Sequence, residues 1–123
     1  TELVPALEHT GLGLLPFFPL ARGLLTGKYR RGESAPQGSR LARAEQSSHL
    51  SDAAFDKVEA LSGFAAERGI TLLDIAIGGL AAMPSVASVI AGATKVSQIE
   101  SNVVAGQWQP TPEDLQTLVD LTA

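Results

Sequence analysis

Two short segments carry the residue types that hold an anion. The first, Pro19-Leu20-Ala21-Arg22-Gly23-Leu24-Leu25-Thr26-Gly27-Lys28, combines glycines with the cations Arg22 and Lys28, and Arg40 follows further along the same stretch. Glycine lets backbone N–H groups approach a ligand closely, and guanidinium and ammonium groups neutralise phosphate oxygens. The second segment, Gly92-Ala93-Thr94-Lys95, stands before an apolar-periodic run and reads as a turn into a helix N-terminus. Unpaired amides and the positive end of the helix dipole favour an anion there.

Other residues with chemical potential read more simply as structure. His9 falls at a helix end and His49 in a polar loop. Glu113 and Asp114 sit in a first helical turn, where acids complement the dipole. Asp52 and Asp56 read as a helix start and a solvated face, and Trp108, close to Pro110, as the cover of a core edge. No His or acid cluster has metal-ligand spacing, so no metal site is expected. The chain has no cysteine, which excludes disulfides and thiolate sites.

The elements that must position the two segments follow from pattern. Glu2 to His9 reads as a helix stopped by Gly11. Gly13–Phe18 is an apolar run without alternation, as expected of a short strand buried on both faces, and Pro16 and Pro19 end it early. Residues 23–49 form a long surface loop: the part from Gly23 to Arg40 holds four glycines, Pro36 and the cations Lys28, Arg30, Arg31 and Arg40. A helix opens at Ser51-Asp52, continues through Phe55, Val58, Leu61 and Phe64–Ala65, and ends at Arg68-Gly69. Thr71 caps the next helix, stopped at Met83-Pro84; Val86–Ala91 is a second short buried strand. A helix from Val96 or Ser97 to about Ala105 and a last one opening at Pro110–Asp114 complete the chain.

Two short strands separated by helices imply a parallel α/β architecture, in which both glycine-bearing loops leave on the same face. Two strands cannot form an independent sheet of normal size, because each has an open edge. The expectation is therefore a piece of a larger domain, incomplete on its own; the absence of an initial methionine points the same way.

At 123 residues with 45% hydrophobic and 18% charged side chains, the chain has the composition of one globular domain. Nine Lys and Arg against thirteen Asp and Glu give a net charge of -4, without the basic face that nucleic acid requires. The apolar stretch Ile70–Met83 is interrupted by Thr71, Asp74, Gly78 and Gly79, so no membrane span is expected. The first residues lack the pattern of a signal peptide, and a soluble cytoplasmic protein is the expectation.

The run Pro-Leu-Ala-Arg-Gly-Leu-Leu-Thr-Gly-Lys-Tyr at 19–29 resembles the segment after the seventh barrel strand of aldo-keto reductases, and is closest to bacterial reductases akin to potassium-channel β subunits. Pro36-Gln37-Gly38-Ser39-Arg40 and Gly92-Ala93-Thr94, with Gln98 and Asn102 after it, fit the same pattern in order across the whole chain. The resemblance implies the last two strands and their helices of a (β/α)8 TIM barrel, gripping NADP. In that reading Pro19, Leu20 and Ala21 line the cofactor cleft beside Gly23, while Arg22, Lys28 and Arg40 approach the pyrophosphate. Gly92 and Thr94 lie near the 2′-phosphate, Gln98 helps to distinguish NADP from NAD, and Asn102 with Ser101 faces the adenine.

Three positions depart from the family's pattern. Phe18 replaces a small hydroxyl residue, Ser101 replaces a glutamate, and Gly79 stands where a helix commonly has tryptophan. The family's tyrosine, lysine, aspartate and histidine catalytic set has no counterpart here, since Tyr29, the one tyrosine, belongs to the Gly-Lys-Tyr loop. The resemblance thus implies the cofactor-binding part of a reductase of aldehydes and ketones, with no catalytic residue among these positions. The competing expectation is an inactive truncated product that binds nucleotide or associates with itself through exposed barrel edges.

Overall fold

The computed structural model describes residues 2–42 and 50–123. Helix α1, Leu3–Thr10, ends where expected: Gly11 takes a left-handed conformation (φ 68°), which a glycine adopts without steric cost. The chain then extends and meets a second extended segment in parallel, with Leu14 opposite Val86 and Phe17 opposite Ile90. Three backbone bonds hold the pair: Leu14 N–H to Ser85 (2.7 Å), Ala87 N–H to Leu14 (2.9 Å) and Ile90 N–H to Pro16 (3.0 Å). Pro16 contributes only its carbonyl, the one ladder group a proline retains. A Cβ on Gly13 would lie 2.6 Å from that of Ala87, so the crossing point excludes a side chain.

The strands were expected to be buried on both faces, and in this chain they are not. Their pairing consists of isolated bridges, and Leu15, Phe17 and Ile90 are 54%, 69% and 54% exposed. The physical reason is that the helices pack on one another and on the loop, so that no residue of the pair enters either buried cluster among the described residues.

Helix α2, Asp52–Arg68, begins at Ser51, whose hydroxyl accepts the Ala54 N–H at 3.2 Å, and stops at left-handed Gly69. Its buried face is Phe55, Val58, Leu61, Phe64 and Ala65, the helical spacing read from the sequence. Helix α3, Leu72–Asp74, opens on a capping box: Thr71 Oγ1 accepts the Asp74 N–H, and Asp74 Oδ2 accepts the Thr71 N–H at 2.7 Å.

Beyond Asp74 the helix widens into a π-helical segment, Ile75–Gly79, every residue of which is buried; periodicity alone had suggested an ordinary helix. The end of helix α4, Val96–Ala105, crosses here. A Cβ on Gly78 would lie 2.5 Å from the Ala105 carbonyl oxygen and 3.0 Å from Trp108 Cβ, so backbone lies directly on backbone. A Cβ on Gly79 would lie 3.2 Å from both Trp108 Cζ3 and Leu118 Cδ1. The aromatic volume missing at position 79 is therefore supplied by Trp108, which also meets Phe64 edge to face at 6.4 Å. This agrees with the reading of Trp108 as the cover of a core edge.

Helix α5, Pro112–Thr122, opens on a second capping box between Thr111 and Asp114, and Leu118 buries against α2. The Arg68 guanidinium lies over the Phe64 ring, 3.6 Å from its centroid, and donates to Asp114 at 2.6 Å. The Thr111 N–H first, and Arg68 second, hold the Asp114 carboxyl below its ordinary pKa. A depressed pKa means that Asp114 stabilises the fold above the unfolded-state carboxylate value, and that this contribution fades as pH falls through the folded value.

Two outcomes are expected. Trp108→Ala should open a cavity over Gly79 and Phe64 and cost about 3 kcal/mol in chemical denaturation. Asp114→Ala should lower the melting temperature at neutral pH, and the gap from the unmodified protein should narrow in strong acid; a pH-independent gap would remove the electrostatic explanation.

Candidate functional site

Parallel pairing decides where the two glycine-bearing segments begin. Because Phe17 and Ile90 run side by side in the same direction, Pro19 and Gly92 leave from the same end of the pair. A hollow of about 390 Å³ at the other end, lined by Leu7, Gly13, Pro84 and Val86 among others, contains none of the expected site residues.

The first segment is not a free surface loop in its described part. From Leu20 it turns immediately: Ala21 N–H donates to Phe18, and Gly23 N–H and Leu25 N–H donate to Leu20. A tight 3₁₀ stretch spans Ala21–Thr26, broken by left-handed Arg22 (φ 60°) and Gly23 (φ 97°). Leu24, Tyr29 and Leu41 are buried with Phe55 and Val58 of α2 in one cluster. Apolar side chains spaced along a glycine-rich sequence thus dock it, which its polar composition concealed. Residues 43–49 of the expected loop, and with them His49, lie outside the described residues.

Three non-glycine residues hold positive φ within five positions: Phe18 (58°), Ala21 (45°) and Arg22 (60°). Each such residue costs on the order of 1 kcal/mol or more, and such strain collects at ligand sites. No glycine marks these positions, so residue order carries no signal of them. Phe18 also acquires a role: the Arg22 guanidinium stands 5.8 Å from its ring centroid, a cation–π arrangement that a hydroxyl residue could not provide.

Lys28 folds back over Gly23, where a Cβ would lie 3.1 Å from the ammonium nitrogen, and its Nζ stands 5.2 Å from the Tyr29 ring centroid. Gly23 is thus required twice, by its φ and by Lys28. Arg22 and Lys28 are exposed on this surface; Arg40 lies in a 3₁₀ turn, Arg40–Ala42.

Arg31 is committed elsewhere. It donates to Asp52 at 3.1 Å and to Glu59 at 3.0 Å, and is paired with Asp56 as well, strapping the loop to α2. These bonds, from Glu59 first and Asp56 next, raise the guanidinium's pKa. Asp52 and Asp56 were read as a helix start and a solvated face. With Glu59 they also form an acidic ladder at helical spacing, a signal visible in the sequence once Arg31 is known to face it.

In the second segment Gly92 and Thr94 are exposed ahead of α4. Gln98 reaches back, and its Oε1 accepts the N–H of Thr94 at 2.8 Å, that of Lys95 at 3.2 Å and the Thr94 hydroxyl at 3.2 Å. This carboxamide shapes the turn, leaving the amides of Val96 and Ser97, for which a helix start offers no intrahelical acceptor. Ser101 lies along the same side of α4 and donates to the Ser97 carbonyl at 2.9 Å, and half-buried Asn102 follows one turn after Gln98. No group of His, Cys, Asp or Glu able to hold a metal ion occurs among the described residues.

The fold and these two loops have a counterpart among known proteins. The profile described as the aldo/keto reductase family matches residues 1–123, and the chain belongs to that family. It is 42% identical over 109 residues to a probable voltage-gated potassium channel subunit beta of Arabidopsis thaliana, covering 85% of this chain and 33% of that protein. It is 36% identical over 109 residues to the L-glyceraldehyde 3-phosphate reductase of Escherichia coli, covering 84% of this chain and 31% of the relative. The chain thus spans about a third of the length of these relatives. Among solved structures, the glycerol dehydrogenase of Gluconobacter oxydans superposes with a TM-score of 0.70 over 97% of this chain and 36% of that one, at 24% identity, a likeness of fold.

Gly23→Ala should therefore destabilise the protein by at least about 1 kcal/mol in denaturant titration, because alanine resists φ 97°. An unchanged midpoint would show that the loop relaxes around the methyl group.

Proposed function

We propose that this chain is the C-terminal, cofactor-gripping part of an NADP-dependent aldo-keto reductase. In this reading residues 1–123 form the last two strands of a (β/α)8 barrel with their helices, and residues 23–49 are the loop on the cofactor side. The parallel pairing of Phe17 with Ile90 carries the reading, since it starts the Pro19 and Gly92 loops from one end of the pair. The donor set fits a dinucleotide phosphate. Arg22 and Lys28 offer exposed cations, and the start of α4 offers amides at the positive end of its dipole.

The bound cofactor supplies a hydride to the carbonyl carbon of an aldehyde or ketone. The residues of this chain orient and hold. Pro19, Leu20 and Ala21 line the cleft beside Gly23, and Arg22, Lys28 and Arg40 neutralise the pyrophosphate. Gly92 and Thr94, in a turn shaped by Gln98, receive the 2′-phosphate, while Asn102, beside Ser101, meets the adenine edge. In this reading the proton donor for the carbonyl oxygen lies outside this chain, and Tyr29, whose hydroxyl accepts the Leu41 N–H, does not serve as it.

A second reading rests on a different observation. Leu15, Phe17, Ile90, Val96, Ile99 and Val103 are all more than half exposed, an apolar surface suited to self-association. In that reading the chain is an inactive nucleotide-binding or self-associating module.

Fluorescence titration with NADPH tests the first reading. The chain should bind, Lys28→Ala should weaken binding by roughly tenfold through loss of a charge-assisted contact, and aldehyde reduction should be absent. No binding at millimolar NADPH would end the reading. Light scattering showing a monomer at high concentration would end the self-association.

A further inference from the structure

Tyr29 is 4% exposed, in a loop whose flanking residues Lys28 and Arg30 are exposed. Its ring is buried with Leu24, Leu41, Phe55 and Val58, which anchors this point of the loop to α2. Its hydroxyl accepts the N–H of Leu41 at 3.2 Å, a buried contact across twelve residues. That bond ties the residue after Lys28 to the residue after Arg40. Lys28 in turn lies against the Tyr29 ring and over Gly23.

We propose that Tyr29 is a positioning residue for cofactor binding, a phenol staple that sets Lys28 and the Arg40 turn at a fixed separation for a pyrophosphate. The proposal rests on the cofactor-binding reading of the loop. Leu41 is 1% exposed, so its amide has no water to turn to if the phenol oxygen is removed. The 3₁₀ turn Arg40–Ala42 must then open toward solvent to satisfy that donor, and Arg40 moves with it. The acceptor role matches the electrostatics around the ring. Burial alone would raise the phenol's pKa, but Ser39, the Leu41 N–H and the charge of Lys28 together hold it below the ordinary value. The tyrosine therefore contributes through Lys28 and the turn it sets and does not touch the reacting atoms.

Tyr29→Phe keeps the ring and removes only the oxygen, and three ligands separate the possible roles. NADPH and ADP both present a pyrophosphate, and their dissociation constants should rise about three- to tenfold, the worth of one net hydrogen bond. Adenosine 2′-monophosphate, which engages the Gly92–Asn102 end, should bind the variant and the unmodified chain equally. Hydrogen exchange should show the Leu41 amide losing protection while those of Phe64 and Ala65 keep theirs. Unchanged NADPH affinity in the variant overturns the staple and leaves the cofactor reading standing. Equal weakening for all three ligands also overturns it, because a general loss of stability would then explain the change. An unmodified chain that binds none of the three removes the staple and the cofactor reading together.

Discussion

A two-point parallel pairing governs the geometry of everything that could bind a ligand in this chain. Leu14 against Val86 and Phe17 against Ile90 fix the direction of both extended segments. Direction matters more than the number of bonds. In the parallel arrangement the segments following Phe18 and Ala91 open at one end, and an antiparallel arrangement would have sent them to opposite ends. The close approach of Gly13 to Ala87 holds that register, because any side chain at position 13 would push the segments apart.

Packing on the other side of the chain makes the arrangement rigid. Helix α4 is seated by its C-terminal end, which lies on the bare backbone of Gly78, while Trp108 fills the space above Gly79. The N-terminal end of the same helix carries Gly92–Lys95. Side-chain volume at the C-terminal end of α4 therefore determines where its dipole and free amides point at the other. The loop on the opposing side is fixed differently, by burying three of its own apolar residues and by Arg31 gripping an acidic ladder on α2. One glycine-bearing segment is thus placed by a helix crossing, and the other by docking on a helix face.

Electrostatics divides the described cations between carboxylate partners and aromatic ones. Arg31 and Arg68 are matched with carboxylates of this chain, which builds them into the scaffold. Arg22 and Lys28 lie instead over aromatic rings, a contact that orients a cation without neutralising it. A cation held in this way keeps its full charge for an anion. Phe18 and Tyr29 are the rings in question, so the aromatic residue at position 18 has a structural partner in Arg22.

Local signals in the sequence were sufficient for much of this. Ser51, Thr71 and Thr111 as caps, Gly11 and Gly69 as stops, and the apolar spacing of α2 all act within one or two helical turns, so residue order alone fixes them. The family and the two glycine-bearing loops were legible for the same reason: they are runs of neighbouring residues. Contacts between distant residues were not. The π-helical turn at Ile75–Gly79 lies against Ala105 and Trp108, which arrive from about thirty residues further along, and the exposure of Leu15 and Phe17 depends on what packs beside them. Positive φ at Phe18, Ala21 and Arg22 is imposed by the fold on residues that do not prefer it. The sequence by itself determined which residues could hold an anion and which elements carry them. Tertiary structure decided which described cations are paired with carboxylates and which lie against rings, because pairing, burial and strain depend on partners that the order of residues does not name.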